Sequence, residues 1–132
     1  MRFIDTHGHF DCPPFVDDAT ESIARAAQSG VERIIVPSVD ASRFALVSQL
    51  AQQHDALYAA LGLHPINIAV HQDAHLDQLE QWLQTPDSKR VAIGEIGLDL
   101  YMQDAQFDKQ TRLLDAQLKL AKKYDLPVIL HS

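Results

Sequence analysis

The sequence of 132 residues contains a single cysteine, Cys12, so an intrachain disulfide bond is excluded. One cysteine beside seven histidines is typical of a protein from a reducing compartment, and we expect the cytoplasm. No helix terminus or base that would activate the thiol is evident nearby. We therefore expect Cys12 to be a packed small side chain rather than a nucleophile.

Long apolar runs and an excess of positive charge are also absent. The first residues, Met1–Asp5, contain no apolar core of a signal peptide, which argues against secretion, a membrane span or a membrane partner. The 18 acidic residues outnumber the 11 basic ones, giving a net charge of -7. Such a chain has no general attraction for phosphate backbones, which argues against a passive nucleic-acid binder. A nuclease is not excluded, because bound cations would add local positive charge.

What the chain does contain is a regular alternation of apolar runs and helical patterns, without a linker or a close repeat, in one domain of ordinary composition. The short runs rich in branched residues predict strands buried on both faces, at 2–4, 33–38, 57–64, 91–97 and 127–131. Helical spacing predicts helices at 18–29, 42–54, 74–84 and 105–124.

Two details of these helices are also predicted. Asp18 and Glu21 resemble a capping box at the start of the first helix. In the last helix, we expect one side to be buried, formed by Phe107, Leu114, Leu118 and Ala121. The β-α-β order predicts a parallel sheet with right-handed crossovers. Either an open doubly wound sheet or part of a (β/α)8 barrel, which typically takes ~250 residues, would fit.

Polar side chains stand at the ends of four of the five predicted strands. They are His7 and His9 after the first strand, His64 after the third, Glu95 and Asp99 around the end of the fourth, and His131 at the end of the fifth. Because the carboxyl ends of parallel strands share one edge, these residues are expected to meet there.

The spacing of these residues suits a metal site. His7 and His9, two residues apart, project to the same side of a strand, and neutral imidazole suits zinc, manganese or similar ions. Glu95 could bridge two cations, and His131 would complete the second. Asp5 has the same parity as His7 and is a candidate for a hydrogen bond to a ligand histidine. Two cations there would bind a water, lower its pKa and neutralise charge, which suits hydrolysis.

Simpler explanations exist for several of these residues. Buried alone, Glu95 would need a partner such as Arg90 or Lys89, yet neither lies at the expected edge. His64 is a candidate for substrate binding or for a hydrogen-bonded core residue. Asp99 could bind substrate or hold its own loop. The remaining histidines off the edge, His54, His71 and His75, are predicted to be solvated surface residues.

Taken together, the motifs "FIDTHGHFD", "GLHP", "GEIGLD" and "LPVILHS" resemble, in order and spacing, the TatD family of metal-dependent deoxyribonucleases. The stretch from Gln110 through Gln117 to Ala121 also looks like the fourth helix of that family. The resemblance spans the whole chain, and its specificity comes from the combination of motifs.

The resemblance implies a (β/α)8 barrel of the amidohydrolase superfamily, two divalent cations (Zn, Mg or Mn) and hydrolysis of DNA or short single-stranded oligonucleotides. It implies that His7 and His9 hold one cation, that Glu95 bridges as the catalytic carboxylate, and that His131 binds the second. Glutamate in place of the carboxylated lysine of related hydrolases favours phosphodiesters over amides or lactones.

The chain also departs from the family pattern. A histidine of strand six, an aspartate of strand eight that would act as general base, and an arginine after the fifth strand are absent. Ile66 and Asn67 follow "GLHP" where many members have a second histidine, and Leu100 displaces a tyrosine to Tyr101. We therefore expect residues 1–132 to be the N-terminal portion of one barrel, weakly active or inactive alone. Hydrolysis of C–N or C–O bonds, a non-catalytic metal-binding fragment and an open nucleotide-binding sheet are the alternatives; the last lacks a glycine-rich loop after the first strand.

Overall fold

The computed structural model describes residues 2–5, 7–9 and 18–131. The prediction for Cys12 lies outside these residues. Five strands are present: β1 (Phe3–Asp5), β2 (Val31–Pro37), β3 (Leu57–Leu61), β4 (Arg90–Gly97) and β5 (Val128–His131). Four α-helices alternate with them: α1 (Ala19–Gln28), α2 (Phe44–Gln53), α3 (Asp73–Gln84) and α4 (Phe107–Lys123). Short 3₁₀ turns at Ala41–Arg43 and Pro65–Asn67 follow β2 and β3.

The five strands form one parallel sheet in the order β1-β2-β3-β4-β5. Each strand therefore pairs with its neighbours in the chain, as in a (β/α)8 barrel. A doubly wound sheet would reverse its strand order at a switch point, and no reversal occurs among the described strands. The barrel-type prediction is confirmed, with five strands and four helices as expected.

The hydrophobic core lies between the sheet and the helices. Phe44, Val47 and Leu50 of α2 pack there with strand residues such as Ile34 and Leu57. The prediction that every strand is buried on both faces is wrong for the two edge strands. Phe3 and Ile4 of β1 and Leu130 of β5 remain 48%, 59% and 58% exposed, because each strand has a neighbour on one side only.

The buried side of α4 differs from the prediction. Phe107 and Leu118 are exposed, while the buried positions are Gln110, Leu113, Gln117 and Ala121. The helix is turned so that two glutamines face the protein interior, where their amides form hydrogen bonds with the backbone. An apolar count could not foresee this, because glutamine contributes nothing to an apolar pattern.

The helix starts also differ from the sequence prediction. Asp18 precedes α1 but its side chain caps no backbone N–H; it accepts a hydrogen bond from the Ser22 hydroxyl instead. A reciprocal capping box occurs at α3, between Gln72 and His75. Among the described residues, no helix is long and apolar enough to cross a membrane.

Two glycines allow β3, β4 and β5 to approach closely behind the edge that carries the polar residues. A Cβ atom on Gly62 would lie 2.9 Å from the carbonyl carbon of Gly94, and one on Gly94 would lie 2.7 Å from Cβ of Ile129. Any larger side chain would push these strands apart. The strand ends that carry His64, Glu95 and His131 are therefore held close together.

Candidate metal centre

The structure brings the predicted polar residues together at the carboxyl edge of the sheet. His7 and His9 follow β1, His64 follows β3, Glu95 lies in β4 and His131 ends β5. The pairing of β4 with β5 shifts by one residue between Gly94 and Ile96, so Glu95 sits at an irregularity of the ladder. Glu95 is 4% exposed, which places a carboxylate in a largely desolvated position.

The two oxygens of Glu95 face different histidines. Oε1 lies 2.8 Å from Nε2 of His7, whereas Oε2 lies 3.0 Å from Nδ1 of His131 and 3.3 Å from Nε2 of His64. A buried carboxylate is costly unless it is paired. The contacts shown for this carboxylate among the described residues are all with imidazole rings.

Lys89 and Arg90 are not the charged partners that a purely structural role of Glu95 would require. The guanidinium of Arg90 donates to the carbonyl of Thr85. The amine of Lys89 donates to the carbonyls of His54 and Asp55, at 3.1 and 2.9 Å. Both side chains therefore serve the loops before β3 and β4, at the opposite edge of the sheet.

The first group of potential ligands is His7, His9 and Glu95. The Nε2 atoms of His7 and His9 are 3.0 Å apart, and their ring centroids are 4.8 Å apart. One ligand atom from each of the three residues lies within 4.8 Å of the others. Two imidazole nitrogens facing each other beside a carboxylate oxygen form a donor set suited to zinc or manganese.

The second group is His64, Glu95 and His131, whose ligand-type atoms also lie within 4.8 Å of one another. The rings of His64 and His131 are 4.6 Å apart at an angle of 60°. Glu95 belongs to both groups, with one oxygen directed at each. The donor chemistry fits a pair of divalent cations bridged by one carboxylate.

The hydrogen bonds of His64 make it a donor rather than a ligand. Its Nδ1 accepts a hydrogen bond from the N–H of Ile66 at 3.0 Å, as the cap of the 3₁₀ turn. A neutral ring with an accepting Nδ1 carries its hydrogen on Nε2. Burial lowers the pKa of His64, although the nearby Glu95 opposes this shift, and so favours that neutral form. The Nε2–H group thus points into the centre.

His131 differs from His64, because its ring nitrogen that faces Glu95 carries no hydrogen. Its Nε2 lies 3.1 Å from Oδ2 of Asp99, and its Nδ1 faces Glu95. A hydrogen on Nε2, donated to the carboxylate, leaves the lone pair of Nδ1 directed into the centre. This is the arrangement in which a carboxylate orients a metal-binding histidine.

Asp5 makes a contact of a different kind from the one expected, whereas Asp99 holds its own loop, which is one of the two roles considered for it. Asp5 accepts a hydrogen bond from the backbone N–H of His7 at 2.9 Å, so it fixes the turn after β1; a bond to a histidine ring stays a prediction. Asp99 contacts His131 and the N–H of Tyr101, at 3.0 Å. Substrate binding by Asp99 also stays a prediction.

The predicted surface role of His71 is wrong. Its ring is 2% exposed, and its Nε2 lies 2.7 Å from the carbonyl oxygen of His64. Burial lowers the pKa of His71, against the effect of that hydrogen bond. His71 therefore holds the backbone of a residue in the centre. The sequence carried no signal for this, because contact across seven residues of loop depends on how the loop folds.

Sequence reasoning also missed Ser38 at the end of β2. Its hydroxyl accepts the N–H of Gly62 at 2.8 Å, and its carbonyl accepts the N–H of Glu95 at 3.2 Å. Ser38 thereby ties the ends of β3 and β4 together. Its place as the last residue of a predicted strand, like that of His64, was the signal that could have identified it.

Comparison with known proteins agrees with this geometry. Residues 4–132 match the family described as TatD related DNase. An uncharacterized metal-dependent hydrolase of Escherichia coli, YjjV, is 60% identical over 99% of this chain and 51% of its own length. The 3'-5' ssDNA/RNA exonuclease TatD of Shigella flexneri is 28% identical over 89% of this chain and 44% of its own. The chain thus spans about half the length of these curated relatives.

Solved structures give the same result. The crystal structure of the Escherichia coli YjjV protein superposes with a TM-score of 0.96, over 99% of this chain and 51% of that one. An uncharacterized amidohydrolase of Saccharomyces cerevisiae, 22% identical, superposes with a TM-score of 0.78 over 100% of this chain and 48% of its own, and shows the fold alone. The family match over nearly the whole chain, with the half-barrel fold, shows that the chain belongs to the family of TatD related DNases.

Proposed function

We propose that this protein is a divalent-metal-dependent hydrolase that cleaves phosphodiester bonds of DNA. The observation that carries the proposal is the division of one buried carboxylate, Glu95, between two sets of imidazoles. A structural ion pair would need one partner, whereas two cations need a bridge.

The residues of this chain have distinct roles in the proposal. His7, His9 and Glu95 would hold one cation, and His131 together with Glu95 would hold the other. Two divalent cations there would lower the pKa of a water and offset phosphate charge. Asp99 keeps His131 in the tautomer that binds. Zn, Mg and Mn are the cations proposed for this centre.

His64 is proposed to contact substrate. Its Nε2–H group is fixed by the hydrogen bond at Nδ1 and is held in a buried position. A preorganised donor of this kind suits a phosphate oxygen on which negative charge accumulates. The cations that Glu95 would help to hold would attract that phosphate to within reach of the ring.

A cleft beside the second group offers room for a nucleotide. It has a volume of 610 Å³ and is lined by Leu98, Asp99, Leu100, Tyr101 and His131. Pockets that bind small molecules commonly have volumes of ~300–1,000 Å³. Relatives named as ssDNA/RNA exonuclease and deoxyribonuclease support a single-stranded nucleic acid as substrate. Because the chain has a net charge of -7, bound cations would be needed to attract this negatively charged substrate.

We further propose that residues 1–132 form the N-terminal portion of one barrel domain in the cytoplasm. The match to about half of each relative and the exposed edge strands support this arrangement. Turnover by the 132-residue chain alone is expected to be weak, because half of a barrel leaves the cleft open. Robust turnover by the purified chain would contradict this expectation.

The test is cation binding and hydrolysis by Glu95→Gln. The substitution keeps the shape but removes the bridging charge, so Zn²⁺ binding measured by titration calorimetry should fall from two equivalents to at most one. The Zn²⁺ that still binds should do so more weakly than in the wild type, by more than the ~10–100-fold loss that is typical when a hydrogen-bond partner of a metal ligand is removed. Glu80→Gln, which affects a surface pair with Lys123, is the matched control and should bind two equivalents.

Hydrolysis separates the substrate classes. At the weak turnover expected of this chain, a panel of a single-stranded oligonucleotide, a lactone and an amide should show metal-dependent cleavage of the oligonucleotide alone. Cleavage of the amide or lactone at a higher rate would overturn the phosphodiester assignment. Unchanged binding of two cations by Glu95→Gln would overturn the bridged pair itself.

A further inference from the structure

Two buried glutamines of α4 contact the loops that carry the second group of the centre. Gln110 and Gln117 are both 1% exposed and lie two helical turns apart on the same side of the helix. We infer that they are positioning residues: Gln117 fixes His64, and Gln110 fixes Asp99 and through it His131. The inference rests on the proposed function, because it concerns the same cations and the same phosphate.

Gln117 holds the backbone directly before His64. Its Oε1 accepts the N–H of Leu63 at 2.7 Å, and its Nε2 donates to the carbonyl of Leu63 at 3.4 Å and to that of Leu113 at 3.1 Å. Strand β3 ends at Leu61, so Leu63 has left the sheet ladder. The amide of Gln117 takes the place of a neighbouring strand at the point where the chain turns into the site.

Gln110 does the same for the loop after β4. Its Oε1 accepts the N–H of Asp99 at 2.7 Å, and its Nε2 donates to the carbonyls of Asp99, at 3.0 Å, and Ala105. The carboxylate of Asp99 in turn contacts Nε2 of His131. The orientation of His131 therefore depends on a helix residue that touches neither cation nor substrate.

Packing alone does not account for amides at these positions. Burying an amide is unfavourable unless its hydrogen bonds are made, and a leucine would fill the space with less demand on geometry. In both residues the oxygen and the nitrogen of the side-chain amide are used. Apart from the bond of Gln117 to Leu113 in its own helix, the backbone bonds of each glutamine reach one loop, and the two loops carry different parts of the same group.

The two positions lead to different expectations in a Zn²⁺ titration. Gln110→Met has a similar length but no hydrogen bonds, so Asp99 shifts and His131 loses its orientation. The second equivalent of Zn²⁺ should then bind about 10–100-fold more weakly, with the first unchanged. Gln117→Met should leave both equivalents as in the wild type, because His64 is a donor and not a ligand.

We expect the opposite pattern for the binding of inorganic phosphate. Binding of phosphate to the Zn²⁺-loaded protein should weaken roughly tenfold in Gln117→Met, since the Nε2–H group of His64 is displaced from the anion. Gln117→Glu keeps an oxygen for the N–H of Leu63 and should show a smaller loss. This isosteric variant also serves if Gln117→Met does not fold.

Leu113→Ala is the control for a purely structural role. Leu113 is buried between the two glutamines and is 3% exposed, and its side chain makes no hydrogen bond. The variant should lower the thermal midpoint as much as either glutamine variant while it leaves Zn²⁺ and phosphate affinities unchanged. The inference would be overturned if Leu113→Ala lost as much Zn²⁺ and phosphate affinity as the glutamine variants, or if the glutamine variants lost none. Either result would leave the proposed centre itself standing. A wild-type protein that binds fewer than two Zn²⁺ ions would overturn the proposed centre and the inference with it.

Discussion

At the scale of single residues, the centre depends on which ring nitrogen of each histidine is left free. His64 and His131 lie 3.3 and 3.0 Å from Oε2 of Glu95, yet the N–H of Ile66 and the carboxylate of Asp99 give the ring nitrogens that face Glu95 different roles. The order of residues predicted which side chains meet, since four of them end strands of one parallel sheet. It did not predict their tautomers, because these are set by partners that only the folded loops supply.

His71 leads to a prediction about pH. Burial lowers its pKa below the ordinary value of 6.5, so the unfolded chain takes up a proton at a higher pH than the folded protein does. The free energy of unfolding should therefore decrease as the pH falls through 6.5, and the loss is complete once the pH is below the folded-state pKa. Each unit of difference in pKa corresponds to about 1.4 kcal/mol.

Urea unfolding between pH 8 and pH 5, in steps of roughly half a unit, measures this dependence. His71→Gln retains a donor for the carbonyl of His64 but cannot titrate, so its stability should decrease less than that of the wild type over this range. Parallel curves for the two proteins would show that His71 is not the group responsible.

At the scale of elements, α4 shows why an apolar pattern identifies a helix better than its buried side. Phe107, Leu114 and Leu118 form a regular apolar stripe, and the existence of the helix was predicted correctly from it, although of these three only Leu114 packs against the core. The rotation of the helix is decided by Gln110 and Gln117, whose amides bind loop backbone. Hydrogen bonds to a distant loop leave no periodic trace in sequence.

This rotation predicts a contrast between two leucines of α4. Leu113→Ala should lower the free energy of unfolding by about 2–5 kcal/mol, because it removes a buried side chain and leaves a cavity. Leu118→Ala, at a position 42% exposed, should change it by less than about 1 kcal/mol. Chemical denaturation of both variants measures the difference. A larger loss for Leu118→Ala would restore the side predicted from the apolar pattern.

At the scale of the whole molecule, the sheet has two edges that no described strand pairs with. β1 and β5 each pair on one side only, and apolar residues of both are exposed, as expected for five strands of an eight-stranded barrel. The inner side of the sheet is also open: Ile4, Arg33 and Tyr58 line a shallow apolar hollow of 170 Å³. Such surfaces favour association.

The edge of β5 gives a prediction about association. Leu130 is 58% exposed, so Leu130→Lys removes an apolar contact and places a charge on the strand edge. The variant should self-associate less than the wild type at equal concentration, with little change in the free energy of unfolding. Sedimentation velocity over a concentration series measures this, and Lys119→Leu, on the exposed side of α4, is the converse control. Equal association of Leu130→Lys and wild type would show that this edge is not the contact.

The amino-acid sequence by itself determined the alternation of strands and helices, the parallel sheet and the set of residues at its carboxyl edge. It did so because apolar periodicity and the position of polar residues after strands are local properties. Only the tertiary structure decided the rotation of α4, the burial of His71, the role of Ser38 and the free nitrogens of His64 and His131. Each of these depends on a hydrogen bond or contact whose distance and direction exist only after the loops, the sheet and the helices have packed.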